Sequence, residues 1–288
     1  VKEKNMSVKL MIDSASDISK KEAEALGIIM LPMTITFDGT DYFDGVDLLP
    51  RQFYEMLIES DALPKTGQIS PFRFKEAFEK HTQNDEELIV VTISSKLSGT
   101  YESAVQAAQN FGGRVYVIDS LNACVGERLL AEYALRLIRG GKTAEYIAAE
   151  LNRVKRRINL IAVLDTLEYL KKGGRISGAA AIAGQLLSIK PVVGIVDGEV
   201  KALGKAIGSK KGNNLLNKLV EEKKGIDFEM PYATVWTGLE KTTLEKYIRD
   251  SAQLWKEHVE EIPSYIVGAT IGTHIGPGAV GVAFFEKE

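Results

Sequence analysis

The chain has 288 residues, 45% of them hydrophobic and 26% charged, with a formal net charge of −3 at pH 7. That composition is globular; it offers no polyelectrolyte attraction to nucleic acid, and no basic tract carries interleaved aromatics. Apolar runs such as 160–164 are far too short to cross a bilayer, and the N-terminal run 8–12 is broken by Lys9, so a signal-peptide core is not expected.

A single Cys124 excludes an internal disulfide and suits a reducing compartment, so a cytoplasmic protein is expected. Cys124 reads as a core filler, and the three histidines, His81, His258 and His274, lack metal-ligand spacing. Met6 can serve as a natural start, which would make Val1–Asn5 a leader.

In chain order, residues 8–12 read as a first strand running into the polar turn Asp13-Ser14-Ala15-Ser16-Asp17, beyond the carboxyl end of a buried strand. Asp17 or Ser16 is expected to cap a helix over 18–26, with Ser14 and Ser16 facing a site. A second strand over 28–37 turns at Asp38-Gly39 into a hairpin, and a helix follows at 51–60. Residues 63–71 read as a loop containing Thr66-Gly67, and Ser70-Pro71 starts a helix over 72–80.

The densest signal lies at 91–101, V-T-I-S-S-K-L-S-G-T-Y. A β-branched run over 88–91 predicts a strand buried on both faces, and 101–111 has helical apolar spacing. The hydroxyls Ser94, Ser95, Ser98 and Thr100, with Gly99, therefore sit at a strand-to-helix junction. There the free N–H groups of a first helical turn converge, and a small oxyanion such as a carboxylate or phosphate fits. A strand at 115–118 and helices at 127–139 and 144–158 complete an alternating βαβ pattern, which means a parallel sheet.

The second half differs in texture. Strands are predicted at 160–164, 192–196 and 200–203, the last two forming a hairpin around Asp197-Gly198. A short helix at 166–170, a small-residue helix at 176–189, helices at 213–224 and 241–255, and strands at 232–236 and 279–285 make up the rest. The expected fold is α/β: a doubly wound, mostly parallel sheet domain (6–158) plus a second α+β domain (159–288), each with its own core, and the ligand site between them. His274, in G-T-H-I-G-P-G, reads as a residue presented by a rigid Gly/Pro turn.

Taken together, D-S-A-S-D (13–17), K-T-G-Q-I-S (65–70), S-S-K-L-S-G-T-Y (94–101), L-K-K-G-G-R-I-S (170–177), L-L-S-I-K-P (186–191) and G-T-H-I-G-P-G-A (272–279) form an ordered set. Across nearly the whole chain this set resembles the DegV family, fatty-acid-binding proteins that serve as acyl-carrying subunits of bacterial fatty acid kinase. The resemblance implies a long-chain fatty acid such as palmitate, stearate or oleate held between two domains. It implies that Thr66 and Ser98 hold the carboxylate beside His274, with Arg175 near the head group; Gly99 and Ser95 belong to the same junction. It further implies a kinase partner docked on a basic surface, here carried by Lys201, Lys205 and Lys210 with no arginine, so the bidentate fork is lost.

The expectation is thus a monomeric carrier that needs no cofactor or metal and is not itself an enzyme. No G-x-x-x-x-G-K-[ST] loop is present to hold ATP, and no clustered carboxylates suggest a Mg²⁺ site. The rival is a serine hydrolase or acyltransferase using Ser98 and His274. It lacks a G-x-S-x-G elbow and an identifiable acid to orient the histidine.

Overall fold

The computed structural model describes residues 7–83, 86–176 and 188–288. The small-residue helix expected over 176–189 falls on 177–187, and Ser177, Leu186, Leu187 and the stretch Val1–Asn5 likewise lie outside the described residues.

The first layer is a four-stranded sheet built from β1 (Val8–Asp13), β2 (Ile29–Leu31), β6 (Glu87–Thr92) and β7 (Val115–Asp119). Its order is β2-β1-β6-β7 and every pairing is parallel. All six residues of β6, ELIVVT, are buried, as a β-branched strand covered on both faces must be. The helices of this half are α1 (Lys20–Leu26), α2 (Pro50–Glu59), α3 (Pro71–His81), α4 (Thr100–Ala108), α5 (Cys124–Arg139) and α6 (Ala144–Val154).

The second sheet comprises β8 (Ile158–Val163), β9 (Ile189–Val196), β10 (Glu199–Ile207), β11 (Tyr232–Trp236), β12 (Ser264–Ile266) and β13 (Val280–Phe285), in the order β10-β9-β8-β13-β11-β12. Only β11 and β12 pair in parallel; the other neighbours are antiparallel. Its helices are α7 (Glu168–Lys172), α8 (Ser209–Glu222), α9 (Thr242–Asp250), α10 (Ala252–Trp255) and α11 (Ala269–Ile275). A small antiparallel sheet of β3 (Thr34–Phe37), β4 (Thr40–Phe43) and β5 (Lys65–Gly67) has the order β4-β3-β5.

The two large sheets share one apolar cluster across α5, and the second sheet packs a further cluster with its own helices. Helix α5 packs against β1 and β6 on one side and against β8, β11 and β13 on the other. Residues 124–131 are buried without a break, which marks a helix surrounded by protein. Strand β13 alternates accordingly. Ala283 and Phe285 join Leu10, Val91 and Leu129 in one apolar cluster, while Val280, Val282 and Phe284 pack with Leu216 and Leu244 in another.

Several elements depart from the sequence reading. Helix α1 begins at Lys20 with Ser19 as its cap, the Ser19 hydroxyl accepting from the Glu22 N–H; Asp17 and Ser16 do not cap it. Ser14 and Ser16 turn inward to backbone partners, Met33 N–H (3.0 Å) and Asp13 C=O (2.8 Å). The expected 241–255 helix breaks at Ser251, whose hydroxyl donates back to Tyr247 C=O (2.8 Å) and accepts from the Trp255 indole (2.9 Å). Thr66 lies on a strand, β5, and His274 in the last turn of a helix, α11.

Candidate ligand site

A cavity of about 200 Å³ opens between the two large sheets. Its walls are apolar, with Leu160, Ala162, Val193 and Val235 from the second sheet facing Met33 and Ile93. The polar residues Thr66, Gln68, Ser98, Arg175, Thr270 and His274 also line it.

Each residue of this polar set is placed by local structure. Pairing of β5 with β3 sets Thr66 opposite Ile35. Helix α11 ends at Gly276, whose φ of +69° suits glycine, and a Cβ there would lie 2.3 Å from the Tyr169 ring on α7. The turn after α7 supplies Gly173, where a Cβ would come within 2.2 Å of His274 Nδ1. Two glycines therefore let α7 and α11 close on each other with the imidazole between them.

His274 Nε2 and Thr66 Oγ1 lie 3.0 Å apart, and Nδ1 has no hydrogen-bond partner among the described residues. Burial, reinforced by the Arg175 guanidinium, pushes the His274 pKa down to about 4, so the ring is neutral at physiological pH. In the tautomer protonated on Nε2, the ring donates to Thr66 and leaves the threonine O–H to donate to a ligand oxygen. Arg175 is tied down by Nη1 to Gly173 C=O (2.7 Å) and Nε to Leu97 C=O (3.3 Å), which sets it beside Ser98.

Of the four hydroxyls at the strand-to-helix junction, only Ser98 lines the cavity. Ser94 donates to Gly198 C=O (2.8 Å) at the tip of the β9–β10 hairpin, and Thr100 accepts from the Ile69 N–H (3.4 Å). Ser95 is not among the lining residues, and its backbone N–H donates to Asp119 Oδ1 (3.2 Å). Gly99 does line it, but the room it leaves is taken first by the Gln68 amide, whose Oε1 lies 2.1 Å from where a Cβ would sit. Lys201 is half-exposed on β10 near Glu199 (3.8 Å), while Lys205 and Lys210 are exposed on β10 and at the start of α8.

The hydrolase arrangement is absent. Ser98 Oγ bonds Thr100 Oγ1 (2.9 Å) while His274 bonds Thr66, and no acid orients Nδ1 among the described residues. Among those residues, no group of three or more His, Cys, Asp or Glu could hold a metal ion, and no helix is long and apolar enough to cross a membrane.

Gln68, Cys124, Met33 and Thr270 also line the cavity, although nothing in the sequence singled them out for it. They arrive through topology, from loops and helix starts distant in the chain. Cys124 opens α5 at φ +56°, and burial beside Asp17 pushes its thiol pKa well up, so it is no nucleophile.

Comparison with known proteins agrees with this architecture. A family profile described as an uncharacterised protein of the DegV family matches residues 7–287. A DegV domain-containing protein of Deinococcus radiodurans is 37% identical over 278 residues, spanning 96% of this chain and 98% of its own. Among solved structures, a DegV family protein from Thermus thermophilus, described by its fatty acid binding, superposes with a TM-score of 0.87. It is 32% identical and covers 98% of this chain and 100% of its own. DegV of Bacillus subtilis, described as a fatty acid binding protein, gives a TM-score of 0.83 at 29% identity, with 98% and 100% covered. Sequence and fold thus agree from residue 7 to residue 287, and the chain belongs to the DegV family.

Proposed function

We propose that this protein carries a long-chain fatty acid, such as palmitate, stearate or oleate, in the cavity between its sheets. It presents the carboxylate to a separate kinase for acyl-phosphate formation and performs no chemistry alone. The observation that carries this reading is the gathering of Thr66, Ser98, His274 and Arg175 in a cavity whose remaining lining is mostly aliphatic. A carboxylate taken from water must be hydrogen-bonded or it protonates. Hydroxyl donors supply those bonds while leaving an oxygen nucleophilic enough to accept phosphate.

The acyl chain supplies most of the affinity. At about 0.8 kcal/mol per buried methylene, a sixteen-carbon chain contributes on the order of 10 kcal/mol before ordering costs. The fatty-acid-binding relatives from Thermus thermophilus and Bacillus subtilis support the same ligand class. Arg175 beside the head group, with Lys201, Lys205 and Lys210 on β10 and α8, supplies positive charge for an acidic partner or for the acyl phosphate.

Lipid extraction of the purified protein followed by mass analysis tests the carrier reading, and a co-purified fatty acid is expected. Apo protein that also fails to take up added palmitate or oleate would overturn it. Charge reversal at Lys201, Lys205 and Lys210 is expected to weaken acyl-phosphate formation by an added fatty acid kinase, most at low salt, with lipid occupancy unchanged. Equal loss of both would make those lysines structural.

A further inference from the structure

The motif Asp13–Asp17 is not absorbed by the ligand cavity, yet it leads to a cluster of acidic side chains. Asp13, Asp44 and Glu127 are buried close to one another, and the half-buried Asp17 joins them with its Oδ2 enclosed. Two of them reach across to the helix that carries His274. Asp17 Oδ1 accepts from the Gly268 N–H (2.8 Å), Asp44 Oδ1 from Ala269 N–H (3.0 Å) and Asp44 Oδ2 from Thr270 N–H (3.2 Å). These are the N–H groups of the cap and first turn of α11, which otherwise lack partners.

We infer that Asp17 and Asp44 are positioning residues for the head-group site, holding the first turn of α11 and thereby fixing where His274 presents its imidazole. A seven-residue helix has little stability of its own, so its placement must come from what grips it. The grip at its start is the carboxylate pair, and Gly268 makes it feasible, because a Cβ there would stand 3.1 Å from Asp17 Oδ1 and 3.2 Å from Asp44 Oδ1. In the middle, Gly272 lets Phe53 and Tyr54 close in, a Cβ there falling 2.6 Å and 2.8 Å from their atoms. At the end, Gly276 meets Tyr169. The helix cannot slide along its axis without breaking one of the three.

An ordinary cap is a Ser, Thr, Asn or Asp at the helix's own N-terminus. Two carboxyls here instead receive three N–H groups from a segment more than 220 residues away. The bonds join the DSASD turn and the end of β4 to α11, so they tie the Thr66–Ser98 side of the cavity to the His274 side.

This inference rests on the carrier reading, since it treats His274 as a head-group residue. The test compares Asp44→Asn and Asp17→Ala with wild type, with Asp13→Asn as a control. Asp13 is as buried as Asp44 but accepts from Ala15 and Ile93, not from α11. Binding of palmitate and of hexadecanol is measured by calorimetry, and the His274 ring signals are recorded by NMR on lipid-free protein. Wild type should prefer palmitate. Asp44→Asn, which loses one of two acceptors, and Asp17→Ala, which loses its only one, should each reduce that preference roughly tenfold, while hexadecanol affinity holds and the imidazole signals shift. Asp13→Asn should lower the melting temperature without either effect.

Unchanged imidazole signals and unchanged preference in both folded variants would overturn the inference, as would the same losses in Asp13→Asn. Should Asp44→Asn not fold, Asp17→Ala alone decides by the same criteria. Wild type with no preference for the acid would overturn the carrier reading, and the lipid-free imidazole signals would still decide the positioning role.

Discussion

His274 is half-buried, neutral and bonded through Nε2 to Thr66, and these facts separate what it does from what Ser98 does. On the carrier reading Ser98 donates to a ligand carboxylate, so Ser98→Ala removes a hydrogen bond to a charged group. That bond is worth roughly 1.5–3 kcal/mol, or about ten- to a hundredfold in palmitate affinity by calorimetry. His274→Ala is expected to keep the acyl chain bound, because the apolar walls hold it, yet to abolish acyl-phosphate formation with an added fatty acid kinase. The ring titrates near 4, so lipid-free protein should show no inflection in the His274 NMR signals between pH 5 and 8. An inflection near the ordinary histidine value would mean that the ring is solvated.

The contact between α7 and α11 gives the element-scale prediction. Gly276→Ala places a methyl group against Tyr169 at a φ of +69°, and it should cost about 1–3 kcal/mol of stability from backbone strain alone, read as a lowered melting temperature. Gly173→Ala should be milder for the fold and harsher for the site, because its methyl group meets His274 Nδ1. Palmitate affinity should fall more than hexadecanol affinity. The sequence showed where the hydroxyl junction lay and that β6, with its unbroken β-branched run, was buried on both faces. It did not show which of Ser94, Ser95, Ser98 and Thr100 would face the cavity, because that depends on partners such as Gly198, Asp119 and Ile69 from other elements. Helix α11 was hidden because G-T-H-I-G looks like a turn; its two ends meet Asp17 and Asp44 on one side and Tyr169 on the other, none of them near it in sequence. The three-residue strands β5 and β12 are too short for a period-two pattern to register.

At the scale of the molecule, the buried carboxyls set the response to pH. Burial raises Asp13 and Asp17 from 3.8 to about 7 and pushes Asp44 and Glu127 upward as well. The fold therefore keeps protons that the unfolded chain releases, and this contribution to stability is lost as pH rises through about 7. His274 acts in the opposite sense, since the unfolded chain binds its proton between 6.5 and about 4 while the fold does not. The carboxyls outnumber it, so the melting temperature of lipid-free protein should fall from pH 5.5 to pH 8, and Asp17→Asn should flatten the slope. A melting temperature that climbs over that range would mean the carboxyls stay ionised in the fold.

Strand β13 stands between β8 and β11, and it directly follows the helix that bears His274. Thr237 ties the two together, its C=O accepting from Gly278 N–H (3.4 Å) and its hydroxyl from Ala279 N–H (2.7 Å). A chain emerging from the ribosome would expose Thr66 and Ser98 long before the strand that closes the second sheet exists, and such long-range pairings form slowly. On the carrier reading, capture of a lipid head group then becomes a late event, available only once the last pairing has zipped. In refolding experiments, uptake of a fluorescent fatty acid should trail the recovery of helical circular dichroism, so an unfinished chain would leave free fatty acid untouched.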